Sequence, residues 1–178
     1  AEQIVYPELM ALYDAEFEVQ PAPTQFRPYR ETEWPEVPSL LTALVTGPDG
    51  DEIHTDEFGR IKVQFPWDRV GEKNDTSSCW VRSVMPWTGK EWGFLAVPRI
   101  GMEVIIQFER GNIDRPSCTG MVYNGVNKPP YPLPAGMNKM GWRTNSTKGG
   151  GGFHGLTMKH PKESRGPLFP LEQDNQNT

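Results

Sequence analysis

From Ser39 to Asn127 the chain is a succession of short apolar runs closed by glycine or proline, with no amphipathic helix between them. "SLLTALVT" stops at Gly47-Pro48, "RIKVQF" at Pro66, "WGFLAV" at Pro98 and "MEVIIQFER" at Gly111. Proline fixes φ and brings no N–H to a ladder, while glycine accepts turn conformations, so this punctuation limits every element to a few residues. Glycine and proline number 18 each in 178 residues, too many for a mainly helical protein. Short strands at such spacing predict an all-β fold, a small antiparallel barrel or sandwich with one compact core.

The strand expectations are specific. "SLLTALVTGP" is a strand with "PDGDE" as its turn, and "EIHTDEFGRIKVQFPW" is two strands joined near Asp56–Gly59. Ile61, Val63 and Phe65 alternate inward, leaving Arg60, Lys62 and Gln64 outward. Pro66 ends that ladder, and Trp67-Asp68-Arg69 packs the corner, where it can meet a neighbouring subunit. "SCWVRSVMPW" alternates from Trp80 through Val84, "WGFLAVP" is a short run, "GMEVIIQFERG" alternates over Val104, Ile106 and Phe108, and "SCTGMVYN" closes the series.

The flanks differ from this central part. The N-terminal stretch has a weak helical pattern at Ile4, Leu9 and Leu12, then alternation at Phe17 and Val19, then "PAPTQFRPYRETEWPEVP". Prolines and the residues before them avoid helical angles, so this reads as an extended arm laid over a partner surface. After Asn127, "KPPYPLPAG" reads as an extended, proline-stiffened linker. "MNKMGWRTNSTKGGGGFHG" is too polar and glycine-rich to bury a core, so it is expected to order by pairing with other copies. The last residues, "PKESRGPLFPLEQDNQNT", read as a frayed tail.

Charge and residue chemistry exclude several functions. The net charge is −5, concentrated in residues 1–38 with two basic and eight acidic side chains, and no segment is basic enough for a nucleic-acid face. No apolar run approaches the ~20 residues of a membrane span, and the acidic N-terminus is no secretory signal. Cys79 and Cys118 form neither a disulfide framework nor a zinc motif; they read as free thiols, at least one buried in a strand. His54, His154 and His160 make no metal-binding spacing. Ser77, Ser78 and Cys79 lack a nucleophile elbow, Asp56 and Glu57 are adjacent on a turn, and Asp114 pairs with Arg115. "GGGG" is no phosphate loop, because no Lys-Ser/Thr follows it. No catalytic set, metal or cofactor is expected. The surviving site chemistry is stacking of a single-stranded nucleic acid or a glycan on Trp67, Trp80, Trp87 and Trp92.

The motifs "GPDGDEIHTDEFGRIKVQFPWDR", "SSCWVRSVMPWTGKEWGFLAVPRIGMEVIIQFERGNIDRP" and "GMVYNGVNKPPYPLP", with "FRPYRE" before them and "NSTKGGGGF" after, occur in this order. They resemble the VgrG family of type VI secretion spike proteins, which is related to contractile-phage central spikes. In the first motif the signature positions are Asp56, Gly59, Arg60, Phe65, Trp67, Asp68 and Arg69. In the second they are Cys79, Trp80, Arg82, Trp92, Pro98, Arg99, Gly101, Glu103, Val104, Asp114, Arg115 and Pro116. Gly120, Tyr123 and Asn124 complete the set.

The resemblance implies a five-stranded OB-fold barrel at 38–125. Residues 1–37 would be the end of a hub-like domain, and 126–178 a proline-rich linker and the start of a trimeric β-helix needle with a divergent tail. It also implies a homotrimer that sits on a tube of Hcp hexamers, carries a PAAR tip or effector cargo, and is assembled in the bacterial cytoplasm. A contracting sheath would then drive it into a target cell. The barrel would be a structural collar, and the signature residues would carry architecture rather than chemistry.

Overall fold

One residue in every two along "TALVT", "IKV" and "EVIIQF" turns toward the same side, and those residues form the core. Ala43, Val45, Ile61, Val63, Val81, Val104, Ile106 and Cys118 are buried together, with Phe65, Val97, Met102 and Phe108 packed against them. The computed structural model describes residues 15–17, 19, 21–160 and 171–173. The chain falls into two units, Ala1–Trp34 and Pro35–Thr178. In the first unit the described residues are exposed and form no strand, and one turn closes where Thr24 N–H donates to Pro21 C=O at 2.9 Å. Phe17 and Val19 are exposed there, so their alternation marks no buried strand.

The second unit holds a five-stranded sheet in the order β2-β1-β4-β5-β3: β1 is Leu41–Thr46, β2 Lys62–Gln64, β3 Arg82–Ser83, β4 Glu103–Phe108 and β5 Pro116–Val122. Pairing is antiparallel except between β3 and β5. The sheet curls into an open half-barrel of OB-fold type. Its two outer strands approach at one point, where Ile61 and Val81 exchange N–H···O bonds of 2.9 and 2.8 Å. A bulge assists the curl: Ile105 faces Gly120 but Ile106 faces Cys118, which leaves Thr119 as the extra residue.

Several expectations are corrected. Glu52–Asp56 forms no ladder with β2; Glu52 C=O instead accepts from Ile100 N–H at 3.0 Å, and His54 stacks on Trp80 at 5.0 Å. Gln64 is buried, not outward, because its side-chain amide serves as the anchor of the following loop. In "SCWVRSVM" the inward residue is Val81, while Val84 is exposed. "WGFLAVP" is not a strand; it leaves a turn, and Phe94 and Leu95 stay exposed. Arg115 lies 3.5 Å from Glu109 instead of pairing with Asp114.

Past Asn127 the differences are larger. "KPPYPLPAG" folds through successive turns, with Gly136 N–H donating to Pro132 C=O at 2.7 Å and Met137 N–H to Pro134 C=O at 3.1 Å. The glycine-rich region pairs within its own chain: β6 (Lys139–Arg143), β7 (His154–Lys159) and β8 (Leu171–Gln173) form an antiparallel sheet in that order. Gly141 lets β6 and β7 pack closely, since a side chain there would strike the Leu156 carbonyl and the Tyr131 hydroxyl. Tyr131 reaches back over it, its hydroxyl 2.6 Å from the Thr157 hydroxyl. β8 lies in the stretch expected to fray; the rest of that tail, and the helical pattern at Ile4, Leu9 and Leu12, fall outside the described residues.

Candidate functional site

Of the four tryptophans expected to share a stacking surface, only two meet. Trp87 and Trp92 pack edge to face with ring centroids 5.2 Å apart and remain 65% and 59% exposed, so their faces are free to contact another molecule. They stand at the two ends of a tight turn, with Gly89 N–H donating to Trp92 C=O at 2.8 Å and Phe94 N–H to Trp87 C=O at 2.9 Å. Gly93 has φ +140°, and a side chain there would strike the Trp87 carbonyl, so "WGF" needs its glycine. Beside the pair runs a groove of about 390 Å³, lined by Phe58, Met85, Thr88, Phe94 and Leu95 among others. Phe94 also approaches Trp142 of β6, at 6.3 Å between centroids, which extends the exposed aromatic surface onto the C-terminal sheet.

Trp67 and Trp80 do other work. Trp67 stacks on Phe65 at 4.4 Å, and Trp80 stacks with His54 and has the Lys62 ammonium 4.8 Å from its ring. The long loop between these tryptophans is tied to β2. Gln64 Nε2 donates to the carbonyls of Asp68 and Gly71 at 3.2 and 3.1 Å, and its Oε1 accepts from Lys73 N–H at 2.7 Å. Ser78 Oγ accepts from Val63 N–H at 3.0 Å, covering an edge strand that would otherwise offer an open ladder. Asp68 Oδ1 accepts from Gly71 N–H at 2.8 Å. Arg69, Cys79 and Arg82 are exposed.

Asp56, Gly59 and Arg60 are one device. Gly59, at φ +70°, closes the turn by donating to Asp56 C=O at 3.1 Å. Asp56 Oδ1 accepts from Phe58 N–H at 3.1 Å and Arg60 N–H at 2.9 Å, while Oδ2 faces Arg60 Nε and Nη2 at 2.6 Å each. Burial alone would raise the Asp56 carboxyl. The Arg60 amide and guanidinium and the Phe58 amide outweigh it and hold the carboxyl below its ordinary value.

Glu103, Gly101, Asn124 and Tyr123 gather where β4 begins and β5 ends. Asn124 Nδ2 donates to Glu103 Oε2 at 2.8 Å, and Asn127 Nδ2 donates to Gly101 C=O at 2.8 Å, which closes the exit from the sheet. Tyr123 remains exposed. Val104 is core, and Pro116 and Gly120 lie in β5. Pro98 is fully buried and aims Arg99 at the C-terminal hairpin. Arg99 Nη2 donates to Asn145 C=O at 2.8 Å, and Glu52 Oε1 accepts from Gly149 N–H at 2.6 Å. Sequence reasoning missed Glu52, Gln64 and Asn127; each is a polar residue in a turn or at a strand end, with no local pattern to set it apart.

Among the described residues no group of three or more His, Cys, Asp or Glu is placed to hold a metal ion. Cys79 is exposed and Cys118 buried in β5, both free thiols. Burial pushes the Cys118 thiol up, against hydrogen bonds to Ser83 and Gly120, so it is a weak source of thiolate. No helix among the described residues is long and apolar enough to cross a membrane.

Residues 42–123 match the family model of the type VI secretion system/phage-baseplate injector OB domain. The Pseudomonas aeruginosa type VI secretion system spike protein VgrG5 is 44% identical over 150 residues, covering 84% of this chain and 19% of the relative. Spike protein VgrG1a of the same organism is 41% identical over 167 residues, 93% of this chain and 26% of the relative. VgrG2a is 46% identical over 122 residues, 68% of this chain and 14% of the relative. The chain thus spans at most about a quarter of the length of these relatives.

Proposed function

The chain belongs to the VgrG family of type VI secretion spike proteins, and from that premise we propose that it is a non-enzymatic structural segment of the puncturing spike. In this reading three copies assemble, the curled sheet serves as a collar, and residues past 126 lead toward a triple-stranded needle. The assembly is carried on an Hcp tube, bears a PAAR tip or effector cargo, and passes from the bacterial cytoplasm into a target cell.

The observation that carries the reading is the exposed apolar surface. Trp87, Trp92, Leu95 and Trp142 remain outside while the core of the sheet is built from small aliphatic side chains and one cysteine. Contiguous apolar surface of this kind marks protein contact. It crosses from the curled sheet to the C-terminal sheet, as a collar and needle base packed against other copies require. Light scattering over a concentration series tests it. The expected mass is that of three chains, with thermal stability rising as concentration rises, since assembly and folding are linked. A monomer at every concentration would overturn it.

The groove beside Trp87 and Trp92 favours one second reading, an OB-type binding module for a glycan or single strand. Titration of tryptophan fluorescence with cell-wall fragments and oligonucleotides separates the two. Quenching at micromolar ligand supports a binding module, and no response up to millimolar excludes it.

A further inference from the structure

The glycine-rich turn between β6 and β7 is held by its backbone, at two points, by side chains from two loops of the curled sheet, one following β1 and one preceding β4. At one point Arg99 Nη2 donates to the carbonyl of Asn145; at the other Glu52 Oε1 accepts the N–H of Gly149. The two side chains face each other, with Arg99 Nη1 3.8 Å from Glu52 Oε2. That second carboxylate oxygen is fully enclosed and has no hydrogen-bond partner, so the arginine is its compensating charge. The base of the arrangement is tied down as well. Ile100 N–H donates to Glu52 C=O at 3.0 Å, Gly101 N–H donates to Val45 C=O at 2.9 Å, and Pro98 is buried. The turn presents the matching polarity: Lys148 and Gly149 both have positive φ, 53° and 72°, which points the Gly149 amide at the carboxylate.

We propose that Glu52 and Arg99 form a polarity-reading clasp that sets the direction of the β6–β7 hairpin relative to the curled sheet. A carboxylate can hold only the N–H side of the turn and a guanidinium only the C=O side. The two charges are therefore not interchangeable, and the hairpin can seat in one sense only. The proposal rests on the spike reading for its purpose alone: a hairpin leading toward a needle must leave the collar at a defined angle and resist bending under load. Nothing in the clasp itself depends on assembly.

NMR-detected amide exchange on the whole chain tests it, with β1, β4 and β5 amides as internal controls of folding. In Glu52→Gln and in Arg99→Met, the Gly149 amide should exchange roughly ten-fold faster or more, because charge-assisted hydrogen bonds are the stronger kind. The control amides should be unchanged. Residual dipolar couplings across β6 and β7 should fall relative to those of the curled sheet, reporting a loosened orientation.

The double variant Glu52→Arg with Arg99→Glu is the sharper test. It keeps an ion pair but reverses both backbone contacts, so Gly149 should stay unprotected. Protection restored by the swap, or unchanged in both single variants, would overturn the clasp. If either single variant loses the β4 and β5 control amides, the same measurement on Arg99→Lys decides. Gly149 exchange faster than wild type with the control amides retained supports the proposal, and wild-type exchange refutes it. Mass measured on the same samples reports separately on three-copy assembly, so failure of that reading and failure of the clasp are distinguishable.

Discussion

Asp56 meets two backbone amides and the guanidinium of Arg60 inside a single turn, so one carboxylate sets both the turn and the entry into β2. Its folded carboxyl is held below the ordinary 3.8, so it binds protons less readily folded than unfolded. The stability it contributes is therefore fully present above pH 3.8 and is lost as pH falls through the lower folded value. Acid titration followed by circular dichroism should show it: Asp56→Asn is less stable than wild type at neutral pH, and the difference narrows in that acid window. A gap independent of pH would mean that the ion pair contributes nothing. Gly59→Ala forces a side chain into φ +70° and should cost about 1 kcal/mol in chemical denaturation. This turn was legible in the sequence, because an Asp three residues before a Gly is local chemistry. The pairing of Asn124 with Glu103 was not legible, because it joins residues from opposite strand ends.

At the scale of elements, β4 is the strand most evident from the sequence and the most central, pairing with β1 on one side and β5 on the other. Val104 and Ile106 are fully buried on its inner face. Ile106→Ala leaves a cavity at a fully buried site and should cost about 2–5 kcal/mol, measured by urea denaturation. Val63→Asp places a carboxylate in the same core and should abolish the folded circular-dichroism signal; a folded variant would mean that the inward register of β2 is wrong. Where the sequence expectation failed, the cause was competition for backbone groups. Glu52–Asp56 has the composition of a strand, but its carbonyl and side chain are recruited by Ile100 and the hairpin turn. Gln64 is outward by alternation, yet a buried amide that satisfies Lys73, Asp68 and Gly71 outweighs the pattern.

At the scale of the molecule, the exposed surface around Trp87, Trp92 and Trp142 is the feature most in need of a partner. Replacing Trp92 and Trp142 with serine should lower the assembled mass in light scattering while leaving the circular dichroism of the curled sheet intact, since both rings are largely exposed. Unchanged mass would move the contact surface elsewhere. The chain's own residues determined the all-β class, the turn at Asp56–Gly59 and the inward faces of β2 and β4, because each follows from local sterics or a period-two pattern. Tertiary structure alone decided that Trp87 and Trp92 stand together while Trp67 and Trp80 do not. It also decided that the glycine-rich segment pairs within its own chain, and that Glu52 and Arg99 hold its turn. The clasp depends on contacts between residues tens of positions apart, where the geometry of the sheet selects which polar groups can meet, whereas the Trp87–Trp92 pair is made by a tight turn whose closure no period-two pattern announces.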